Sequence, residues 1–317
     1  MGYKLAGCEV IGNCEIDKQM NEVYVKNHHP KFNYCMDIRD FNNLPDDELP
    51  EELFNLDILD GSPPCTTFSM AGDREDTWGK KKKFREGQAE QTLDDLSFVF
   101  IETVRKLKPK CVIMENVEGL LLGAAWTYVQ RIYKEFMDAG YQLRHYLCKG
   151  EQMGIPQKRH RVFFIAFRND INFNFDKFDM FFNYETIPYK VIKSGNGSKI
   201  NENTMMYKML SIATRSDKKI GDVLKRIGEK ERCFTDMICW DDEILPTITA
   251  KLTHMRPIEK EYLSKEDIIH AQTFPDDYDF VKNTQTNIAF ICGMSVPPVM
   301  IKRIVNRLID TGVFENE

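Results

Sequence analysis

Four short segments carry residue types whose chemistry depends on where the chain puts them. The run Leu56-Asp57-Ile58-Leu59 ends in Asp60-Gly61-Ser62-Pro63-Pro64-Cys65. A strand running into a stiff Pro-Pro turn would present Cys65 at the carboxyl edge of a sheet, where open α/β folds bind ligands. A cysteine at that address can act as a nucleophile, although a lone Pro-Cys after a strand is more often a buried structural thiol. The run Cys111-Val112-Ile113-Met114 breaks abruptly into Glu115-Asn116-Val117. A carboxylate there is suited to proton exchange, against the plainer role of capping the next helix. Gln157-Lys158-Arg159-His160-Arg161 leads straight into Val162-Phe163-Phe164-Ile165. Arg159 and Arg161 are two apart, so within one strand they share a face and form a cationic fork for an anion or a carbonyl. His160 then faces the other way, as a surface or packing residue. Lastly, Gly293-Met294-Ser295-Val296-Pro297-Pro298 opens the final helical pattern and offers backbone donors and a hydroxyl near a helix N-terminus.

These residues need a scaffold, and the first 170 residues supply the rhythm of one. Short β-rich runs at Cys8–Cys14, Leu56–Asp60, Cys111–Met114, Gln142–Cys148 and Arg161–Phe167 alternate with helical patterns, which predicts βα units and a parallel sheet. Leu93, Leu96, Phe100, Val104 and Leu107 recur at three- and four-residue spacing. That spacing predicts a helix over 93–107 with Thr92 as N-cap and Asp95 in its first turn. A second helix is expected over Leu121–Asp138, stopped at Gly140. Past residue 170 the rhythm fails and the chain turns rich in Asn, Lys and Met, which predicts a second, smaller domain. The last helix is expected from Pro297 onward.

The chain has 317 residues, with 43 Lys+Arg against 49 Asp+Glu and a formal charge of -6. That composition excludes disordered and collagenous chains. Without an evident apolar run of about 18 residues, and without a secretory leader, a cytoplasmic protein with no membrane partner is expected. Within the acidic total, residues 187–256 hold 13 Lys+Arg against 9 Asp+Glu, and Lys80-Lys81-Lys82-Lys83-Phe84-Arg85 form a basic run. Both suggest an anionic partner, with a solvated basic face as the alternative. Nine cysteines lack any Cys-x-x-Cys pair, so most are expected to be reduced and buried, with no metal site.

Taken in order, Pro63-Pro64-Cys65, Glu115-Asn116-Val117, Gln157-Lys158-Arg159-His160-Arg161 and Gly293-Met294-Ser295-Val296 resemble the successive motifs of the DNA (cytosine-5)-methyltransferase family. Phe274-Pro275-Asp276-Asp277-Tyr278 is similar to its penultimate motif. The resemblance covers nearly the whole chain. It implies an α/β fold: a Rossmann-like S-adenosylmethionine-dependent methyltransferase sheet over 1–170, completed by 290–317, with a smaller, mixed target-recognition domain over 171–289. It implies methyl transfer from S-adenosylmethionine to C5 of a cytosine flipped out of duplex DNA. By that resemblance Cys65 adds to C6 of the base, Glu115 holds the N3 edge and the exocyclic amine, Arg161 bonds the base O2, and Arg159 supports the loop carrying Cys65. For the cofactor it implies Glu15 on the ribose hydroxyls, Ile16 against the adenine, Asp37 and Ile38 in the next adenine-contacting motif, Leu96 in the following helix, and Pro64 and Ser295 nearby. The alternative for Glu15 and Asp37 is a plain helix cap at a strand end. The family segment after the cysteine closes over DNA, so the lysine run would engage phosphates. A monomer is implied, either stand-alone or partnered with a restriction endonuclease, in a bacterial or phage-like setting.

One family feature is not found. The resemblance would begin with a strand and a loop of the type Phe-x-Gly-x-Gly-Gly, whereas Met1-Gly2-Tyr3-Lys4-Leu5-Ala6-Gly7 lines up with the helix after that loop. Its absence would leave a gap in the middle of the sheet, so Met1 is expected to be an internal methionine of a longer natural chain. Two other readings stay open. One is a tRNA cytosine-5 methyltransferase, because Cys233-Phe234-Thr235 resembles a tripeptide of that branch. The other is an inactive DNA-binding remnant.

Overall fold

A computed structural model describes residues 1–63, 95–230, 232–233 and 235–315. Pro64, Cys65, Thr92, Leu93, the basic run at 80–85 and Phe234 therefore lie outside the described residues. In chain order the strands are β1 (Gly12–Cys14), β2 (Phe32–Tyr34), β3 (Ile58–Gly61), β4 (Cys111–Val117), β5 (Tyr141–Lys149), β6 (Gln157–Lys158), β7 (His160–Arg168), β8 (Met237–Ile238), β9 (Leu245–Pro246), β10 (His254–Arg256) and β11 (Glu261–Tyr262). The helices are α1 (Gly2–Leu5), α2 (Lys18–His28), α3 (Ile38–Asn43), α4 (Leu96–Leu107), α5 (Trp126–Asp138), α6 (Met205–Ser211), α7 (Ile220–Arg226), α8 (Lys265–Ala271), α9 (Gln285–Met294) and α10 (Pro298–Ile309).

The chain forms two compact units. One comprises 10–148, 160–181 and 305–317; the other comprises 1–9, 149–159 and 182–304. In the first, four strands form a sheet in the order β3-β4-β7-β5, and β1 pairs with β2 in a separate parallel pair. Backbone pairing among the described residues does not join the two pieces, so the strand layer is interrupted between them. Neither β1 nor β3 contains a fully buried residue, whereas β4 reads buried from Cys111 to Met114.

Helix α4 carries the expected stripe in its described residues, with Leu96, Phe100, Val104 and Leu107 buried, and Ile101 joins Val104 fully buried in one cluster with Val112 and Met114 of β4 and Val162, Phe164 and Ala166 of β7. On α5 the stripe is Val129, Ile132 and Phe136, and each such side chain contributes about 1.5–3 kcal/mol when taken out of water. Because successive strand residues face opposite ways, Phe167 points to the other face of β7, where its ring stacks on Phe173 at 3.9 Å. The strands and helices expected over 56–167 appear in that order, but several details differ. Helix α4 starts at Leu96, and Asp95 ion-pairs with Arg39 at 2.8 Å without capping the helix by its side chain. Helix α5 starts at Trp126 because Gly123, at φ +58°, breaks the pattern into short 3-10 turns; Gly140, at φ +85°, follows its C-terminus. The expected parallel sheet is mixed: β3 and β4 are parallel, whereas β4 and β7 run antiparallel from Cys111↔Phe167 to Val117↔Arg161. Apolar period reports which face is buried and carries no information on strand direction.

The second unit holds a three-stranded sheet, β11-β10-β8, and the two-stranded pair β6-β9. Ile220, Val223 and Leu224 of α7 pack on Ile238, Trp240 and Met255. The same unit has a charged core: Arg256, Glu261 and Asp267 are 2%, 5% and 0% exposed. Asp267 accepts from Tyr189 Oη at 2.6 Å, Ser194 N at 2.8 Å and Ser264 N at 3.0 Å, and it also ion-pairs with Arg256. Ser264 and Asp267 form a reciprocal capping box at the start of α8. The stretch Gln285–Ile309 is long and apolar enough to cross a membrane by length and composition, which corrects the reading that no such run exists. Here it is two helices, α9 and α10, with Ile288, Ala289, Ile291, Cys292, Met300 and Ile304 buried.

Candidate active site

The sheet register brings two of the expected residues together. Glu115 sits opposite Phe163 and Val117 opposite Arg161, so Glu115 and Arg161 are diagonal neighbours on one face. Arg161 Nε lies 2.7 Å from Glu115 Oε1, with side chains only 15% and 14% exposed. A second guanidinium nitrogen, Nη1, donates to the His160 carbonyl at 2.7 Å. The arrangement fixes a planar cation and a carboxylate at the end of a rigid strand pair, the hydrogen-bonding complement of a polar heterocycle edge. His160 Nδ1 is 3.0 Å from Glu118 Oε2.

Asn116, 2% exposed, has a role that its sequence motif did not assign. Its Nδ2 donates to the Pro63 carbonyl at 3.4 Å, while its Oδ1 accepts from Val117 N at 2.9 Å. The side chain thereby ties the end of β4 to the residue two before Cys65.

Arg159 departs from the expected fork. It falls between β6 and β7, so strand alternation does not extend to it. Its guanidinium, in a side chain only 2% exposed, donates to the carbonyls of Ile248 at 3.0 Å and Gly293 at 2.9 Å, both in its own unit. Arg159 and Arg161 thus have different partners. Ser295 caps α9, its hydroxyl donating to Ile291 O at 2.7 Å.

The residues expected to hold a cofactor lie on β1, α3 and α4. Glu15 follows β1 and accepts from Asp17 N at 2.8 Å, and burial pushes its carboxyl up from the usual glutamate range, opposed by that hydrogen bond. Capping of α2 falls to Asp17, which accepts from Gln19 N at 2.9 Å, so Glu15 is not the cap. Ile16 is 36% exposed, an apolar side chain left open beside that acid. Asp37 does cap a helix: Oδ1 accepts from Arg39 N at 2.8 Å at the start of α3. Ile38 packs against the main core, and Leu96, the first residue of α4, is 7% exposed.

Among the described cysteines, burial pushes the thiol of Cys148 up to about 12 and those of Cys111, Cys239 and Cys292 up as well. Such thiols stay protonated and are poor nucleophiles. No group of His, Cys, Asp and Glu able to hold a metal occurs among the described residues. Within 187–256, Lys190 and Arg215 pair with Asp242, Lys193 with Asp241, Lys218 with Glu243 and Arg226 with Asp217, all partners inside the same segment, so its net positive balance stands.

The chain is similar to known proteins along nearly its whole length. The family model "C-5 cytosine-specific DNA methylase" matches residues 1–310. The type II methyltransferase M.FnuDI of Fusobacterium nucleatum is 34% identical over 172 residues, 54% of this chain and 44% of that protein. M.Sau96I of Staphylococcus aureus is 26% identical over 98% of this chain and 72% of its own length. M.Bsp6I of a Bacillus species is 23% identical over 97% and 94%. The match thus spans less than half the length of M.FnuDI and most of M.Bsp6I. Among solved structures, a DNMT2 variant of Spodoptera frugiperda superposes with a TM-score of 0.64 at 16% identity, covering 97% of this chain and 95% of that one. The S. pombe Dnmt2 methyltransferase gives 0.61 at 17%, covering 99% and 95%. These structural likenesses establish the fold. With the family model matched over 1–310, the chain belongs to the C-5 cytosine-specific DNA methylases.

Proposed function

We propose that the chain transfers a methyl group from S-adenosylmethionine to C5 of a cytosine flipped out of duplex DNA, through a covalent bond between Cys65 and C6. The observation that carries this reading is the Arg161–Glu115 pair at 2.7 Å on the β4–β7 edge. Cytosine C5 is a weak nucleophile, and addition of a thiolate at C6 activates the ring. Glu115 is assigned to the N3 and exocyclic amine edge, where a carboxyl group can follow the proton gained by the adduct. The Arg161 guanidinium is assigned to O2, where it offsets developing negative charge. Asn116 steadies the turn leading to Cys65 through the Pro63 carbonyl. Loss of the C5 proton to a base, then expulsion of the thiolate, restores aromaticity and frees Cys65.

The residues on β1, α3 and α4 fit the chemistry of a nucleoside. Glu15 offers carboxylate oxygens to ribose hydroxyls, and the exposed Ile16 side chain offers an apolar face to a purine. Asp37, Ile38, Leu96, Pro64 and Ser295 complete the assigned set. When bound, S-adenosylmethionine supplies the electrophilic methyl group. Residues 171–289 are assigned to target recognition and the remainder to catalysis. Phosphate contact is assigned to the Lys80–Lys83 run and to the basic surplus over 187–256, with a marked salt dependence.

The test is transfer of labelled methyl groups to duplex DNA and, in parallel, to tRNA, with Cys65→Ala as control. Label in DNA that the control lacks supports the proposal. Label in tRNA alone favours the RNA-modifying branch, and DNA binding with no transfer to either points to an inactive binder.

A further inference from the structure

Gln157, absent from the catalytic and cofactor assignments above, is fully buried, and its carboxamide is used at both ends. Oε1 accepts from Ile248 N at 3.0 Å, while Nε2 donates to Ala271 O and to Gln272 Oε1, each at 2.7 Å. Gln272, also fully buried, passes the link on by donating Nε2 to the Ser295 carbonyl at 2.6 Å. From the other side, Arg159 donates to the carbonyl of the same Ile248 and to that of Gly293. Ile248 is therefore held at its N–H by Gln157 and at its C=O by Arg159; Arg159 reaches Gly293 directly, and Gln157 reaches Ser295 through Gln272.

The two backbones also touch directly. A Cβ placed on Gly293 would lie 2.2 Å from Thr249 C and Ala250 N, a contact only glycine permits. Ile248 is 2% exposed, and its neighbours Thr247 and Thr249 are partly exposed and carry hydroxyls. The 247–249 segment falls within the region assigned to target recognition, and Ser295 among the cofactor residues.

We infer that Gln157 is a positioning residue for methyl transfer: one carboxamide sets the 247–249 segment and, through Gln272, the Ser295 turn, so that nucleic-acid and cofactor affinity both depend on it. The inference rests on the function proposed above. Its chemistry is specific to an amide. A leucine leaves Ile248 N–H and Ala271 O without this partner, and a carboxylate sets acceptors against Ala271 O and Gln272 Oε1.

The test compares Gln157→Leu and Gln272→Met with the wild-type chain in steady-state methyl transfer to duplex DNA, with cooperative unfolding checked by circular dichroism. For Gln157→Leu, the KM values for S-adenosylmethionine and for DNA should each rise about tenfold with kcat within about threefold, the pattern of lost binding contacts. For Gln272→Met, only the cofactor KM should rise. A fall in kcat with both KM values unchanged, the mark of a smaller folded fraction alone, overturns the inference. Should Gln157→Leu fail to fold, Gln272→Met decides: a raised cofactor KM supports the link, and an unchanged one overturns it. A wild-type chain that methylates no nucleic acid overturns the proposed function, and this role with it; a competent wild type with unaffected variants overturns this role alone.

Discussion

Arg161 reaches Glu115 across an antiparallel strand pair, Nε to Oε1 at 2.7 Å, from a position one diagonal step away in the register. Glu115 follows the buried run of its strand and Arg161 precedes the buried run of its own, so the backbone sets their geometry and no loop is needed to bring them together.

Glu115→Gln should lower methyl transfer by about 10²–10⁴-fold, the range for loss of a positioned acid–base group, while changing thermal stability by only a few degrees. Arg161→Ala should act similarly. The double variant should be less impaired than the product of the two, because neighbours that share an interaction are non-additive by about 0.5–3 kcal/mol. Single-turnover rates on one duplex measure this. A Glu115→Gln protein with more than a tenth of normal activity would remove the carboxyl group from the mechanism.

Cofactor binding should weaken with acidification earlier than an ordinary glutamate would cause. Burial raises the Glu15 carboxyl, and an acceptor for ribose hydroxyls works best ionised. Affinity for S-adenosylhomocysteine should therefore rise with pH through that raised pKa and level off above it. Calorimetric titrations at several pH values show the profile, and Glu15→Gln should flatten it.

Acid should also destabilise the second unit through His254. Burial lowers this ring from 6.5 to about 4, so between those values the unfolded chain takes up a proton that the folded chain does not. The contribution is intact above about pH 6.5 and is lost as pH falls toward 4, amounting to roughly 3 kcal/mol at 1.36 kcal/mol per unit. Urea unfolding of wild type and His254→Leu at pH 7 and pH 4.5 isolates it. Equal losses in the two proteins would contradict the assignment.

Removing Asp267 should cost up to about 3–5 kcal/mol, because buried Arg256 would keep only its longer ion pair, to Glu261 at 3.3 Å. Asp267 also accepts from Tyr189, Ser194 and Ser264, so Asp267→Asn should be milder than Asp267→Ala. Denaturant midpoints order the two variants.

Residues whose surroundings are local were readable in the sequence. The β4 run, the α4 stripe and the Gly140 stop each follow from side-chain period or from backbone freedom at one position. The Glu115 and Arg161 positions followed too, because each sits beside an apolar strand. Strand β2 was missed, since Phe32–Tyr34 is three residues of mixed character. Strand β1 is shorter than its β-rich run for the same reason, as only Gly12–Cys14 pairs. The work of Gln157 and Arg159 was illegible because their partners lie 89 to 134 residues further along the chain. Asn116 was visible as a residue but not as a brace, since Pro63 is 53 residues away. Local pattern cannot announce a hydrogen bond that only the closed fold creates.

The β4–β7 register makes the family's signature unequally tolerant of evolutionary change. A one-residue insertion between Cys111 and Glu115 would turn Glu115 to the opposite side of the sheet and offer Met114 to Arg161 in its place, because strand side chains alternate with period two. The same insertion in a surface connection is absorbed at little cost. Lineages of this chain should therefore accumulate length variation in their connections and almost none between 111 and 117 or between 160 and 168.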